Sequence, residues 1–552
     1  MLNTLLQPPS AGTIFNFGIF FSALALLGII YTVTDVRFRF RIAVAPVPLH
    51  FITYIMIAII GFGTLITDLW FAENWPLPNF LSDQLIWQAI LGGMFLWLIL
   101  IWIYYGLINP PIFQKNNYKK FTEVFYSIAL KGTDNELSVI VNELARSAES
   151  IISNTKLVHV SSSLDIKKSR IKNIKPSQSD YAHDFLLLIG NRKFCRYIIT
   201  SSPTTAIDFF HAMSNQKKYD VPIGAFSKNV STEAIIYKDS ILYHEDEGYK
   251  SGLIGYLKPF TQTVYGNYVL VEELAKNNAS PLDIRYELLS SWDAIQLEAY
   301  CRCVEACFKS YIKNNAWFQH SYALHRAFNI IKDSCRDLYK LNDIPVDALT
   351  DISKRLHVVV HFITKIIAML DKQEPILPGK LRLRDKDIEN FYDYIANLMF
   401  EIVSFASHVK SPSAMSWGIQ YITVWDQFFG YTGNGNAKKI INHKLRRLLF
   451  DEILRLSKFP NYRSARILGL CLNVMGLELG DRKHKETNYA LHKVILIWTK
   501  HNYLKLRSNN LEVSESCLQS NITFDEQKKC LIKTFEKGLN KEPHQSFLNL
   551  SD

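Results

Sequence analysis

The sequence predicts a membrane-anchored, mainly α-helical protein: three N-terminal transmembrane helices, then a cytoplasmic helical bundle or irregular α-solenoid with a small α/β insertion. Three observations support this class. Segments free of Asp, Glu, Lys and Arg fill Ala11 to Thr34, Ile42 to Thr67 and Gln84 to Gln114. Each supplies the roughly 20 apolar residues needed to cross a hydrocarbon core about 30 Å thick. Apolar residues then recur at helical spacing from Pro281 to Leu506, while Phe185 to Tyr268 breaks into short runs separated by turn residues. The implied organisation is a membrane domain (1–121), juxtamembrane helices with a basic linker (122–182), a small mixed α/β region (183–280), a helical domain (281–508) and a polar tail with one helix (509–552).

The connections between the spans set the expected orientation. The first carries Arg37, Arg39 and Arg41; the second carries Asp68, Glu73 and Asp83 and no basic residue; Lys115, Lys119 and Lys120 follow the third. Basic residues near span ends are retained in the cytoplasm, so the N-terminus is expected outside and the large C-terminal part inside, as a multi-pass protein of a bacterial inner membrane. The first basic residue is Arg37, so the opening segment lacks the positive n-region of a signal peptide. No Asp, Glu, Lys or Arg lies within the spans, which argues against a proton relay or coupled transporter. Trp70, Trp75, Trp87, Trp97, Trp102, Tyr104 and Tyr105 suit the membrane interfaces. Gly18, Ser22, Ala25, Gly61, Gly63, Gly92 and Gly93 allow close helix approach, with packing inside the chain favoured over a subunit interface.

Beyond the spans, two short helices are expected between Tyr118 and Thr155, with Asp134 capping the second. Lys167, Lys168, Arg170, Lys172 and Lys175 make Asp165 to Ser179 an exposed connection. Phe185–Ile189, Arg196–Thr200 and Ile235–Tyr243 read as the short runs of the α/β region, with a helix over Thr204–Ser214 capped by Thr204 or Thr205. Helices follow over Tyr286–Asn314, Ala316–Leu341, Val346–Leu370, Asp385–Val409, Trp417–Phe429, Lys438–Ser457, Arg463–Leu477 and Tyr489–Tyr503, without a fixed repeat period. A final amphipathic helix is expected around Asp525–Leu539.

No catalytic residue, cofactor or metal site is nominated. His357 and His361 stand one helical turn apart, but Val358 replaces the glutamate of the metalloprotease pattern. His183-Asp184 is a two-residue match of the kind a long chain contains by chance. Cys303 and Cys307 precede His320 and His325 without a C-x-x-C pair, and reduced buried thiols are expected. Gly430, Gly433 and Gly435 ahead of Lys438 do not place lysine and a hydroxyl as a P-loop requires. Gly248 to Gly252 sets Ser251 one position late for a nucleophile elbow. Lys444, Arg446, Arg447, Arg455, Lys458, Arg463 and Arg466 read as a solvated basic face with internal i, i+4 pairs.

The binding positions the sequence favours are Lys167, Lys168, Arg170 and Lys172 in the linker, and Tyr249, Lys250, Tyr256 and Lys258 in a segment dense in glycine and aromatic residues. The net charge of +11 suits anionic surroundings, either lipid or nucleic acid. The expected partners are the bilayer and a protein partner or a second copy through the membrane helices. The leading functional expectation is a membrane-tethered, non-enzymatic effector. Its cytoplasmic domain binds a partner and its spans respond by perturbing the membrane, by architectural analogy with anti-phage abortive infection. The alternatives are a membrane-anchored enzyme acting on a phosphate-bearing substrate and a passive scaffold.

Overall fold

The structure, a computed structural model, describes residues 15–33, 35–73, 83–156, 176–245, 259–284, 292–314, 320–345, 350–373, 390–430, 435–480, 488–519, 521–535 and 544–550. By internal packing the chain divides into two compact units, Met1–Val230 and Ser231–Asp552, with the division inside the helix Gly224–Ile236.

The first unit opens with α1 (Phe17–Val33), α2 (Val36–Ala43), α3 (Leu49–Ala72) and α4 (Gln84–Ile103), the last running into a π-helical turn at Tyr104–Ile108. Pro46 and Pro48 fall between α2 and α3. Proline lacks an amide donor and forces the preceding residue out of helical conformation, so the span predicted from Ile42 starts at Leu49, and Ile42 joins the short elbow helix α2. At its other end α3 continues past Thr67 through Asp68 to Ala72. Leu49–Ala72 and Gln84–Ile108 comprise 24 and 25 residues of mean hydropathy 2.1, about 36 Å each at 1.5 Å per residue. Both are long and apolar enough to cross a membrane. The 17-residue α1, about 25 Å, is shorter than this, and residues 11–14 of the predicted first span lie outside the described residues. Among the described residues there are thus two helices of spanning length where three spans were expected.

Phe15, Phe20, Ile60, Leu91 and Phe95 form the core shared by α1, α3 and α4. Three of the predicted small residues permit this approach. A Cβ on Gly63 would lie 2.8 Å from Leu91, one on Gly61 3.0 Å from Phe20 and one on Gly92 3.3 Å from Phe15. Gly93 has nothing within 4 Å of that position and faces outward.

Six helices complete the described part of this unit before Gly224: α5 (Tyr118–Lys131), α6 (Asp134–Ala145), α7 (Ala148–Asn154), α8 (Gln178–Ile189), α9 (Arg192–Ser201) and α10 (Pro203–Gln216). Thr133, not Asp134, caps α6 in a reciprocal box with Glu136, and Asp134 instead accepts the Tyr197 hydroxyl. The expected strands between Phe185 and Tyr243 are helices, so the described part of 183–280 holds no strand. Ser177 and Asp180 box the start of α8, and Asn191 caps α9 through the Lys193 amide at 2.9 Å. Gly190-Asn191 is therefore a helix-to-helix junction. In a window this short, a fully buried helical face and a strand give the same apolar run. Ser202 is the N-cap of α10 with Pro203 in its first turn, while Thr205 donates to the Val141 carbonyl at 2.8 Å.

Among the described residues of the second unit the regular elements up to Glu515 are helices. Ala294–Lys313 packs on Asp351–Asp371, Phe391–Ala406 packs on Asn436–Lys458, and Tyr462–Met475 and Tyr489–Asn509 pack around the latter. Phe308, Phe328, Phe391 and Tyr394 join in one aromatic core with ring centroids 5.2 to 6.4 Å apart. Trp417–Phe429, expected as one α-helix, is interrupted by a π-helix at Gly418–Trp425.

The tail corrects another expectation. Asp525–Leu539 is no helix in its described part. β1 (Ile522–Asp525), β2 (Cys530–Thr534) and β3 (Gln545–Asn549) form an antiparallel sheet in that order, with Phe524 opposite Leu531 and Ile532 opposite Phe547. Asp525 accepts the amides of Gln527 and Lys528, both at 3.0 Å, and Lys529 adopts a left-handed φ of 45°. The side chain thus organises a tight turn where a helix would have begun.

Candidate functional site at the membrane boundary

Large apolar side chains lie exposed along the outside of α1, α3 and α4. Phe51, Tyr54 and Phe62 are 64%, 72% and 66% exposed, and Phe21, Leu26, Ile66, Leu96, Trp97 and Leu100 are exposed with them. Only 22% of the most apolar stretch of either spanning helix is buried within the protein. A core helix of a water-soluble fold would be mostly enclosed.

Several polar side chains of these helices are enclosed and satisfied within the protein. The Trp102 indole donates to Thr53 Oγ1 at 2.9 Å, Thr53 donates to the Leu49 carbonyl at 2.7 Å, and Thr64 and Thr67 bond their own helix. Gln88, 2% exposed, accepts the Phe15 amide. Where lipid replaces water, backbone and side-chain polar groups must be satisfied internally. At the acidic end, Asp68 accepts the Phe17 amide at 3.1 Å and sets a negative charge on the positive end of the α1 dipole.

The basic end is built around Arg41. Its guanidinium grips Glu143 of α6 through two bonds, Nε to Oε2 at 2.7 Å and Nη2 to Oε1 at 2.6 Å, and donates from Nη1 to the Gly106 carbonyl at 2.8 Å. Arg37 adds a second positive charge 3.3 Å from the same carboxylate. One buried arginine therefore ties the elbow α2 to the end of α4 and to α6. Gly106 has no room for a side chain, since a Cβ there would fall 2.0 Å from the Phe38 ring. Asn117 closes the next turn by donating to the carbonyls of Val44 and Ile112, both at 2.9 Å. Sequence reasoning missed Glu143. The available signal was a carboxylate beside Ile140, Val141 and Leu144 in an apolar helix stripe, but nothing local names its partner.

The other sequence candidates separate. Among the described residues no group of three or more His, Cys, Asp or Glu converges on a common point. His357 and His361 lie on an exposed helix face, with His357 3.4 Å from Thr423 Oγ1. Burial holds the thiols of Cys303 and Cys307 well above the usual range and pushes those of Cys471 and Cys517 up to about 12, so they are neutral. The residues around Gly435 do not offer an open phosphate cradle. The Asp371 carboxylate occupies the start of the helix Asn436–Lys458, accepts the Lys438 amide at 3.2 Å, and lies about where a Gly435 Cβ would go. Glu272 does the same for Tyr322–Asp333, and Asp351 for Ala294–Lys313.

The basic stretch is largely consumed internally. Lys444 is buried against Asp393, Arg446 bonds Asn488 at 2.9 Å, Arg455 pairs with Glu452 at 3.0 Å and Arg463 with Glu401 at 2.7 Å. Lys444 corrects the solvated-face reading, because its i, i+3 spacing from Ile441 puts it on the buried side.

Lys167, Lys168, Arg170, Lys172, Tyr249, Lys250, Tyr256 and Lys258 lie outside the described residues. The base of the segment holding the last four is described. The buried Glu245 carboxylate accepts the amides of Phe260 at 2.6 Å and Thr261 at 3.1 Å, so residues 245 and 260 are drawn together. Comparison with protein-family models, curated proteins and solved structures finds no match for this chain.

Proposed function

We propose that this chain is a membrane-tethered, non-enzymatic effector with three N-terminal spans, its N-terminus outside and its large C-terminal part in the cytoplasm. In this reading the C-terminal helices bind a partner and the spans execute the response by perturbing the bilayer. The observation that carries the membrane part is the outward apolar face of α1, α3 and α4, bounded by Asp68 and Asp83 at one end and by Arg37, Arg39 and Arg41 at the other. The Arg41–Glu143 contact supplies a rigid link from the spans to the helices beyond them. A binding role is favoured over phosphate chemistry because the helix start at Gly435, the one phosphate candidate at a helix N-terminus in the sequence, is filled by the Asp371 carboxylate.

The test is membrane potential, read by a voltage-sensitive dye in bacteria expressing either the full chain or a chain whose three native spans are exchanged for unrelated apolar helices. Depolarisation only with the native spans is expected. Equal potential in both strains would reduce the spans to a passive tether.

A further inference from the structure

Three cations at the basic end of the membrane helices are left over after the ion pairs are assigned. Glu143 is shared by Arg41 and Arg37, and Lys119 stands 3.9 Å from Glu123. Arg39, Lys115 and Lys120 have no acidic partner among the described residues. They come from elements that pack together, α2 touching α3, α5 and the turn that ends α4. Arg39 projects from the elbow α2, with Phe40 beside it packed on Phe121 at 5.6 Å between ring centroids. Lys115 lies in the turn that Asn117 fixes to Val44 and Ile112. Lys120 follows in the first turn of α5, close enough to His50 at the start of α3 for their charges to interact. Arg39 and Lys115 are exposed. Lys120 is half-buried, and burial lowers its pKa, the condition in which a nearby anion is most favourable. The rim continues into the exposed apolar side chains of Tyr104, Leu107 and Ile108 at the end of α4.

We propose that Arg39, Lys115 and Lys120 form a binding rim for anionic phospholipid, the phosphodiester headgroup meeting the three cations while its acyl chains lie along α4. The inference rests on the membrane reading above. It assigns the anionic partner to residues other than the Lys167–Lys172 run. An anionic bilayer surface attracts each adjacent Lys or Arg severalfold, so three together give a preference on the order of 100-fold over a zwitterionic lipid.

The test uses the purified full chain in non-ionic detergent. Thermal unfolding is followed while phosphatidylglycerol, phosphatidylcholine or inorganic phosphate is titrated in. Phosphatidylglycerol should raise the midpoint at a concentration on the order of 100-fold lower than phosphatidylcholine, and inorganic phosphate should not raise it. Replacing the rim, Arg39→Gln with Lys115→Gln and Lys120→Gln, should abolish the difference between lipids, whereas Lys115→Arg with Lys120→Arg should keep it. Neutralising Lys167, Lys168, Arg170 and Lys172 should also keep it. Equal stabilisation by both lipids, stabilisation by free phosphate, or loss of the preference only in the Lys167–Lys172 variant would each overturn the rim. Alkaline carbonate extraction of membranes separates the two claims. A chain released by carbonate overturns the membrane reading itself, and a chain retained but indifferent to lipid charge overturns only the rim.

Discussion

In α1, α3 and α4 the large apolar side chains Phe51, Phe62 and Leu96 face out, while Gln88, Thr53 and Thr64 are enclosed. In the C-terminal unit Phe308, Leu356 and Ile363 are enclosed, and the exposed positions include Lys354, Arg447 and Arg455. The inversion separates the two regions by where their apolar side chains lie: outward in one, enclosed in the other. Among the described residues each compact unit also contains a buried ion pair, and the two pairs differ in kind. Arg41 satisfies three acceptor oxygens with a planar fork, whereas Lys444 offers a single ammonium to Asp393, whose other oxygen takes the Asn390 amide at 3.0 Å. Arginine suits the bidentate geometry and lysine does not.

The largest expected effect tests the first pair. Arg41→Met should destabilise the membrane unit by about 3–5 kcal/mol, because it leaves Glu143 buried with only Arg37 nearby. The readout is denaturation in detergent micelles, and Arg41→Lys should recover less than half of the loss. In the C-terminal unit, Lys444→Met alone should cost about 3 kcal/mol, and adding Asp393→Asn, which keeps the helix cap, should restore part of it. If the double variant is no better than the single one, Lys444 is not held for its charge. Gly106→Ala should cost about 1–3 kcal/mol through its collision with Phe38. Gly93→Ala, facing open space, should cost less than the Gly63→Ala change that meets Leu91, as thermal midpoints would report.

A pH effect distinguishes the tail. Lys533 is buried beneath Trp417 and Phe535, with its ammonium 5.2 and 4.7 Å from the ring centroids, and burial lowers its pKa to about 8. Unfolded, the amine holds its proton up to about pH 10.4. Between those values the unfolded chain binds more protons, so stability should rise with pH, by at most about 1.4 kcal/mol per unit. Unfolding midpoints measured from pH 7.5 to 10 should show this rise, and Lys533→Met should flatten it. The smallest change is expected on the surface. Arg447→Ala removes an exposed i, i+4 pair with Asp451 and should shift stability by only about 0.3–0.5 kcal/mol.

Most helices were legible because their signals are local. Tyr489, Asp351 and Asn436 begin helices within a few residues of their predicted starts, and apolar spacing with a capping residue is enough to place such ends. The short runs at Phe185–Ile189 and Arg196–Thr200 were misread because a window of five residues is too short to separate helical from strand periodicity: Phe185, Leu186 and Ile189 are buried but Leu187 is exposed, and Ile198 and Ile199 are buried between exposed Arg196 and Thr200. The tail was misread for the converse reason. Leu531 and Phe535 stand at i, i+4 in sequence, but the Asp525 turn fixes a hairpin before a helix can start. Of the candidate site, the basic and acidic ends of the spans were legible and the Arg41–Glu143 link was not.

The sequence by itself determined which segments are apolar, where most helices begin and stop, and on which connections the positive and negative charges fall, because each depends on composition or on residues a turn apart. Only the tertiary structure decided that Arg41 meets Glu143 102 positions away, that Asp371 fills the helix start near Gly435, and that Lys444 is enclosed. A charged side chain accepts any opposite partner the fold brings to it, and local sequence carries no information about which one that will be.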